Sequence, residues 1–275
     1  MQDVTLVGLG WLGLPLYHRL SALGLSVAGT VTQEAKCQSL RQAGVNAHVW
    51  QATGQAAPWP DELKARTLIL AIAPGRQDDY PVKIAALCQQ AAAAGVQQLL
   101  YLSSTSVFAH QGDKDEQTVP DGHEPRSLRM LAAEQVVACC DIPRKTVLRL
   151  GGLVGPGRYP GCFLAGKPAE HGQQGVNLLH QDDAVGIIST IVRQQAWDQT
   201  FHGVAPDHPS RQAFYTLACQ LADLPLPQFT VSDRPDKRVA GQAVCKRLGY
   251  RYQVQDWLAW LTQLPAAERR CAKRG

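Results

Sequence analysis

The chain has 275 residues, 45% of them apolar and 18% charged, enough to bury one large or two ordinary domains and too few charges for long disorder. The net charge of +4 gathers near the C-terminus in Arg269, Arg270, Lys273 and Arg274, which reads as a solvated end and argues against a nucleic-acid surface. The eight cysteines form no C-x-x-C pair, no apolar run reaches the ~18 residues of a membrane span, and no basic leader precedes the first strand. A cytoplasmic protein with free thiols, no metal site and no membrane partner is the expectation.

Apolar runs at residues 4–7, 27–30, 45–50, 68–73, 99–103 and 146–150 read as strands. Helical patterns at 12–23, 34–43, 80–94 and 126–140 alternate with them. Such alternation specifies an α/β fold, a doubly wound parallel sheet with helices on both faces. After Leu150 a segment rich in Gly and Pro interrupts the pattern, followed by helices at 182–193, 210–221 and 255–264 and a short strand at 201–204. The expected organisation is an α/β domain at 1–150 and a smaller C-terminal lobe at 151–275, whose contact with the carboxyl edge of the sheet would form a substrate cleft.

The opening Asp3-Val-Thr-Leu-Val-Gly8-Leu-Gly10-Trp-Leu-Gly13 sets a G-x-G-x-x-G turn between the first strand and the first helix. Gly8 permits the tight turn, Gly10 lets a pyrophosphate approach the backbone, and Gly13 lets the helix pack closely on the strand. The helix N-terminus offers N–H groups and a positive dipole end to the phosphates. With a second strand following at 27–30, this is a Rossmann-type βαβ unit for NADP or NAD. Contacts are expected from Gly8, Gly10, Trp11, Leu12 and Gly13, from Thr30 and Thr32, and from Ala73 and Ser103 at later strand ends. NAD-preferring proteins place a carboxylate at the end of the second strand, whereas here Thr30-Val31-Thr32-Gln33 precedes the first acid, Glu34. Thr30 and Thr32 could bond a 2′-phosphate, with Lys36 or Arg41 to neutralise it, so the reading leans to NADP.

Four further segments carry a resemblance: Leu102-Ser103-Ser104-Thr105-Ser106-Val107-Phe108, Leu131-Ala-Ala-Glu134, Leu148-Arg149-Leu150 with Gly155-Pro156-Gly157-Arg158, and Asn177-Leu-Leu-His180-Gln-Asp182-Asp183. Together they resemble the extended short-chain dehydrogenase/reductases, the NAD(P)-dependent epimerase/dehydratase family. The opening Val7-Gly-Leu-Gly-Trp-Leu-Gly13, Ala165-Gly-Lys167 and His171-Gly resemble an atypical bacterial subgroup within it. The resemblance implies an oxidoreductase or epimerase/dehydratase acting on a small polar metabolite or nucleotide sugar, and a homodimer.

Active members of the family pair a Ser or Thr with a Tyr and a Lys. Ser104 matches the serine, but Arg126 and Met130 stand where the Tyr and Lys are sought, and neither can replace them. The candidate catalytic residues are therefore Ser104, with Tyr159 or His180 as an unusual proton donor; Arg158, Lys167 and Asn177 are candidate substrate contacts. The missing pair also leaves open a non-catalytic protein that senses the dinucleotide and reports to a partner.

Overall fold

The structure is a computed structural model that describes residues 1–55, 58–75, 79–109, 112–230 and 236–271; Lys273 and Arg274 of the basic tail lie outside the described residues. The first half runs β1 (Gln2–Val7), α1 (Gly13–Ala22), β2 (Val27–Val31), α2 (Glu34–Gln42), β3 (Ala47–Val49), β4 (Ala65–Leu70), α3 (Tyr80–Ala93), β5 (Gln98–Ser104), β6 (Gly112–Lys114), α4 (Pro125–Cys139) and β7 (Arg144–Leu150). It continues through β8 (Gly152–Val154), α5 (Gly161–Leu164), β9 (Pro168–Ala169), β10 (Leu178–His180), α6 (Gln181–Gln194) and β11 (Thr200–Gly203). Last come α7 (Arg211–Leu221), β12 (Gln228–Phe229), β13 (Lys237–Val239), α8 (Gln242–Leu248) and α9 (Trp257–Gln263).

Seven strands form the central parallel sheet in the order β11-β7-β5-β4-β1-β2-β3. The strands read as nearly unbroken apolar runs because helices flank the sheet; Val4, Leu6, Val7, Leu68, Ile69, Leu70, Leu99 and Leu100 are all buried. The register pairs Val4 with Val27 on one side of β1 and with Thr67 on the other. The chain winds outward from β1 through β2 to β3, then returns to the other side of β1 as β4. That reversal leaves a crevice at the carboxyl ends of β1 and β4, where ligands of such sheets bind.

Two strand ends differ from the sequence expectation for local reasons. β4 stops at Leu70, short of Ala73, because Ala71 donates its last ladder bond to Val7 O (2.9 Å) and the chain then leaves the sheet beside the glycine turn. β3 begins at Ala47, because the Val45 N–H closes α2 on Leu40 O (2.9 Å) and so belongs to the helix end.

Two compact units divide the chain: Met1–Val107, Gly122–Arg149 and Ile187–Phe201 form the first; Phe108–Asp121, Leu150–Gly186 and His202–Gly275 form the second. Set beside the consecutive blocks 1–150 and 151–275, they exchange two segments, 108–121 and 187–201, and Leu150 falls to the second unit. In the second unit three short parallel pairs, β8 with β10, β9 with β12 and β6 with β13, accompany the helices. Ser210 caps α7, its Oγ accepting from Ala213 N–H (3.1 Å), and Asp256 caps α9, accepting from Ala259 N–H (2.8 Å).

One cysteine expectation is corrected. Cys162 and Cys271 are joined in a disulfide 109 residues apart, a separation that leaves no local signature; the other six cysteines are thiols. No helix among the described residues is long and apolar enough to cross a membrane, and no His, Cys, Asp and Glu cluster there could hold a metal ion.

Candidate functional site

The glycine turn occupies the crevice between β1 and β4. Gly8 has φ +108°, and a side chain there would meet Ala71 O at 3.0 Å and Ile72 Cγ2 at 3.2 Å, so both its backbone angle and its neighbours require glycine. Its N–H donates to Thr30 Oγ1 (3.0 Å), and the next N–H, of Leu9, donates to Thr30 O (2.7 Å). Thr30 is thereby a fastener of the turn. A Cβ on Gly13 would collide with the Gly8 carbonyl oxygen, which fixes how closely α1 packs against the end of β1. Gly10 differs, since a Cβ there would meet nothing within 4 Å. Its bare backbone faces open space.

That space is a cavity of about 710 Å³ whose walls include Gly8, Gly10, Thr30, Thr32 and Ala73 of the expected cofactor contacts. Three other expected residues do not line it: Trp11 stands in the turn before α1, Leu12 is the buried N-cap position, and Gly13 begins the helix. α1 has no side-chain N-cap and no acidic residue in its first turn, so its positive end meets no carboxylate from its own helix. The open space thus lies over the bare backbone of the turn that leads into α1.

Residues that no motif marked complete the walls. Trp50 and Gln51 follow β3, Ile72 and Pro74 follow β4, and Tyr80 and Lys83 belong to the first turn of α3. They come from separate elements, and only the sheet order gathers them. Lys36 also lines the cavity, its Nζ donating to Leu9 O (2.9 Å), whereas Arg41 turns away and donates to Ala47 O (2.7 Å). Arg41 is therefore corrected to a brace of β3. Lys83 pairs with Asp79 at 2.9 Å across one helical turn. Lys36 and Lys83 thus bring two cations to the cavity wall, and Asp79 one carboxylate, already paired with Lys83.

At the carboxyl end of β5 the two serines separate in duty. Ser103 Oγ donates to Glu134 Oε1 (2.5 Å), and that carboxylate also takes Arg149 Nε (3.1 Å) and Nη2 (2.8 Å), a nearly buried knot joining β5, α4 and β7. Ser104 is half-buried, and its Oγ accepts from Ser106 N–H (3.2 Å), leaving its own proton to give. On α4, Met130 is buried with its sulfur 3.8 Å from the Tyr101 hydroxyl, and Arg126 is exposed. Tyr101 in turn meets the Tyr80 hydroxyl at 3.1 Å, while Tyr80 donates to Ile72 O (3.0 Å). Burial pushes the Tyr80 phenol up to about 12, so it remains protonated at neutral pH.

In the second unit, Tyr159 is buried and its hydroxyl donates to Ala218 O (2.6 Å). Burial raises its pKa as well. His180 Nδ1 accepts from Asp182 N–H (3.2 Å), and its ring meets Trp260 edge-on at 5.4 Å. Burial lowers the His180 pKa against the pull of Asp182 and Asp183, favouring the neutral imidazole. Asp183 lies in the first turn of α6. Its carboxylate accepts from the Tyr250 hydroxyl (2.9 Å) and from the N–H groups of Gln253 (2.7 Å) and Val254 (3.3 Å). Asn177 likewise clips β13, donating to Lys237 O (2.8 Å) and accepting from Val239 N–H (2.8 Å), and Lys167 donates to Phe163 O (2.8 Å).

No family model matches the chain. Protein YeeZ of Escherichia coli strain K12 is 33% identical over 269 residues, a match covering 93% of this chain and 97% of that protein. Among solved structures, a Methylobacillus flagellatus protein provisionally assigned as an NAD-dependent epimerase/dehydratase superposes with a TM-score of 0.77 at 22% identity, covering 98% of this chain and 99% of its own. The Bordetella bronchiseptica enzyme WbmG in complex with NAD superposes with a TM-score of 0.75 at 15% identity, covering 95% of this chain and 93% of its own; it has also been solved with NAD and UDP. At these identities the structures establish the fold, and the sequence match establishes the kinship. The chain belongs to the family of Protein YeeZ, built on the Rossmann-type fold of the epimerase/dehydratase structures.

Proposed function

We propose that the chain binds NADP or NAD and is an atypical short-chain dehydrogenase/reductase, an oxidoreductase or epimerase/dehydratase for a small polar metabolite or nucleotide sugar. The observation that carries this reading is the open backbone at Gly10, facing a 710 Å³ cavity at the point where the sheet reverses direction. The complexes of WbmG with NAD, and with NAD and UDP, support the same ligand classes here.

When bound, the nicotinamide would supply hydride transfer. This chain's residues would supply the rest. Gly8 and Gly10 would hold the pyrophosphate, with Thr32 just after β2 and Lys36 in the first turn of α2 on the same cavity wall. That pair, with no carboxylate before Glu34, is why the reading leans to NADP: an ammonium and a hydroxyl suit a 2′-phosphate, and a carboxylate would repel it. Ser104, with its proton still to donate, would orient a substrate oxygen. In the second unit taken by itself, His180 is the proposed proton carrier, burial favouring its neutral imidazole; Tyr159 is not assigned that duty because its hydroxyl is committed to the Ala218 carbonyl.

The test is turnover across a panel of sugar nucleotides and small hydroxy and keto metabolites, followed at the nicotinamide absorbance. Ser104→Ala should lower kcat by about 100-fold while leaving cofactor affinity nearly unchanged. Equal kcat in the variant would remove Ser104 from the chemistry. A second reading, a dinucleotide sensor without chemistry, rests on buried Met130 and exposed Arg126 at the positions of the usual Tyr and Lys. Tight cofactor binding with no turnover across the panel would favour it.

A further inference from the structure

A second, smaller cavity of about 250 Å³ lies at the amino ends of β1, β4 and β5, and every residue lining it belongs to the first unit. A strand rises ~3.3 Å per residue, so Asp3 on this cavity and Gly8 on the other stand about 17 Å apart along β1. Val4, Val192, Leu25 and Leu23 form its apolar wall, and Leu23 is 37% exposed. Its inner polar side chains are spent on one another. Thr67 Oγ1 donates to Gln98 Oε1 (2.7 Å), and Gln98 Nε2 donates to Gln195 Oε1 (2.6 Å), which also accepts from Trp197 Nε1 (3.1 Å). Gln195 takes this place in a left-handed backbone, φ 55°, just past the end of α6. Three charged residues complete the lining. One oxygen of Asp3 accepts from the Ser26 N–H (2.8 Å) and Oγ (2.6 Å). Arg66, in β4, and Arg193, in the last turn of α6, are exposed; among the described residues no hydrogen bond or ion pair holds either guanidinium, and Arg66 acts on Asp3 only through space.

We propose that this cavity is a second ligand site, taking a small monocarboxylate with a short apolar body. The carboxylate would bind Arg66 and Arg193, and the body would cover Leu23 and lie against Val4 and Val192. A guanidinium presents N–H donors in a planar fork that matches a carboxylate, and here two of them are unspent while the amides beside them are already paired. Covering Leu23 removes apolar surface from water, which a bare inorganic anion cannot do. The ligand's charge is limited as well: Asp3 lines the same cavity and α6 presents its negative, C-terminal pole there, so the two arginines leave an excess suited to one negative charge. The size sets the rest. Sites for drug-sized ligands begin near ~300 Å³, so this one suits a molecule as small as benzoate and excludes a dinucleotide. The proposal stands on this geometry and is independent of what fills the cavity at the glycine turn.

The experiment is calorimetric titration of the full chain with sodium benzoate, beside benzamide as its neutral counterpart and inorganic phosphate as an anion without an apolar body. Benzoate should bind saturably with a dissociation constant of about 1 mM or below, and benzamide and phosphate should each bind at least about tenfold more weakly. R66Q and R193Q, at unchanged circular dichroism, should each weaken benzoate about tenfold. R251Q, which removes an exposed arginine of the second unit, should leave its affinity unchanged. The double variant K36Q/K83Q, which strips the cations from the larger cavity, should bind benzoate as the wild type does. No saturable benzoate binding, equal affinity for benzamide or phosphate, unchanged affinity in R66Q or R193Q, or loss of binding in K36Q/K83Q would overturn the proposal. Wild type and K36Q/K83Q decide it should an arginine variant fail to fold.

Discussion

Glu134 and Arg149 meet through two hydrogen bonds with only 11% and 8% of their side chains exposed, and Ser103 closes the group. Removing the carboxylate leaves a buried guanidinium facing the Ser103 hydroxyl without its counter-charge. Glu134→Ala should therefore cost about 3–5 kcal/mol of folding stability, read as a lower denaturant midpoint at unchanged slope. A loss under about 1 kcal/mol would show that Arg149 finds equal compensation elsewhere. The sequence marked Glu134 as a helix landmark and Ser103 as a cofactor contact, and could not show that they bind each other. Thirty-odd residues separate them, and no period or spacing encodes a cross-element bond. Gly8 and Gly13 were legible for the opposite reason: their constraints act within a few residues of chain.

At the scale of elements, apolar period and end signals did most of the work. Ser210 reads as a helix start, and its hydroxyl caps α7 on Ala213 N–H. Ser210→Ala should destabilise the protein by about 1 kcal/mol, measured by thermal or chemical unfolding; an effect near zero would mean that water replaces the cap fully. β6, β8, β9, β10, β12 and β13 escaped prediction because strands of two or three residues are too short to show alternation. The cavity escaped in part for a related reason. Trp50, Tyr80 and Lys83 each sit where an element begins or ends, and their convergence is a property of the strand order β4-β1-β2-β3 rather than of any segment.

For the molecule as a whole, Asp183 links pH to stability. Burial raises its pKa, with the bonds from Gln253, Tyr250 and Val254 opposing the shift. The folded protein thus holds this proton more tightly than the unfolded chain does. Between the unfolded value of ~3.9 and the higher folded one, the native state binds more protons, so this group's contribution to stability falls as pH rises. Asp183→Asn removes that dependence while losing an acceptor. Its stability penalty, measured by denaturant titration from pH 4 to 7, should shrink toward higher pH. A penalty that grows with pH would reverse the assignment.

The most direct test of the central claim is isothermal calorimetry of the folded protein with NADPH and with NADH, beside Gly10→Asp. That substitution puts bulk and a negative charge where the backbone now faces open space. The account predicts saturable binding to the wild type, tighter for NADPH, and affinity weakened at least about 100-fold in Gly10→Asp at unchanged circular dichroism. Absence of binding of either dinucleotide to the folded wild type, or equal affinity in Gly10→Asp, would contradict it.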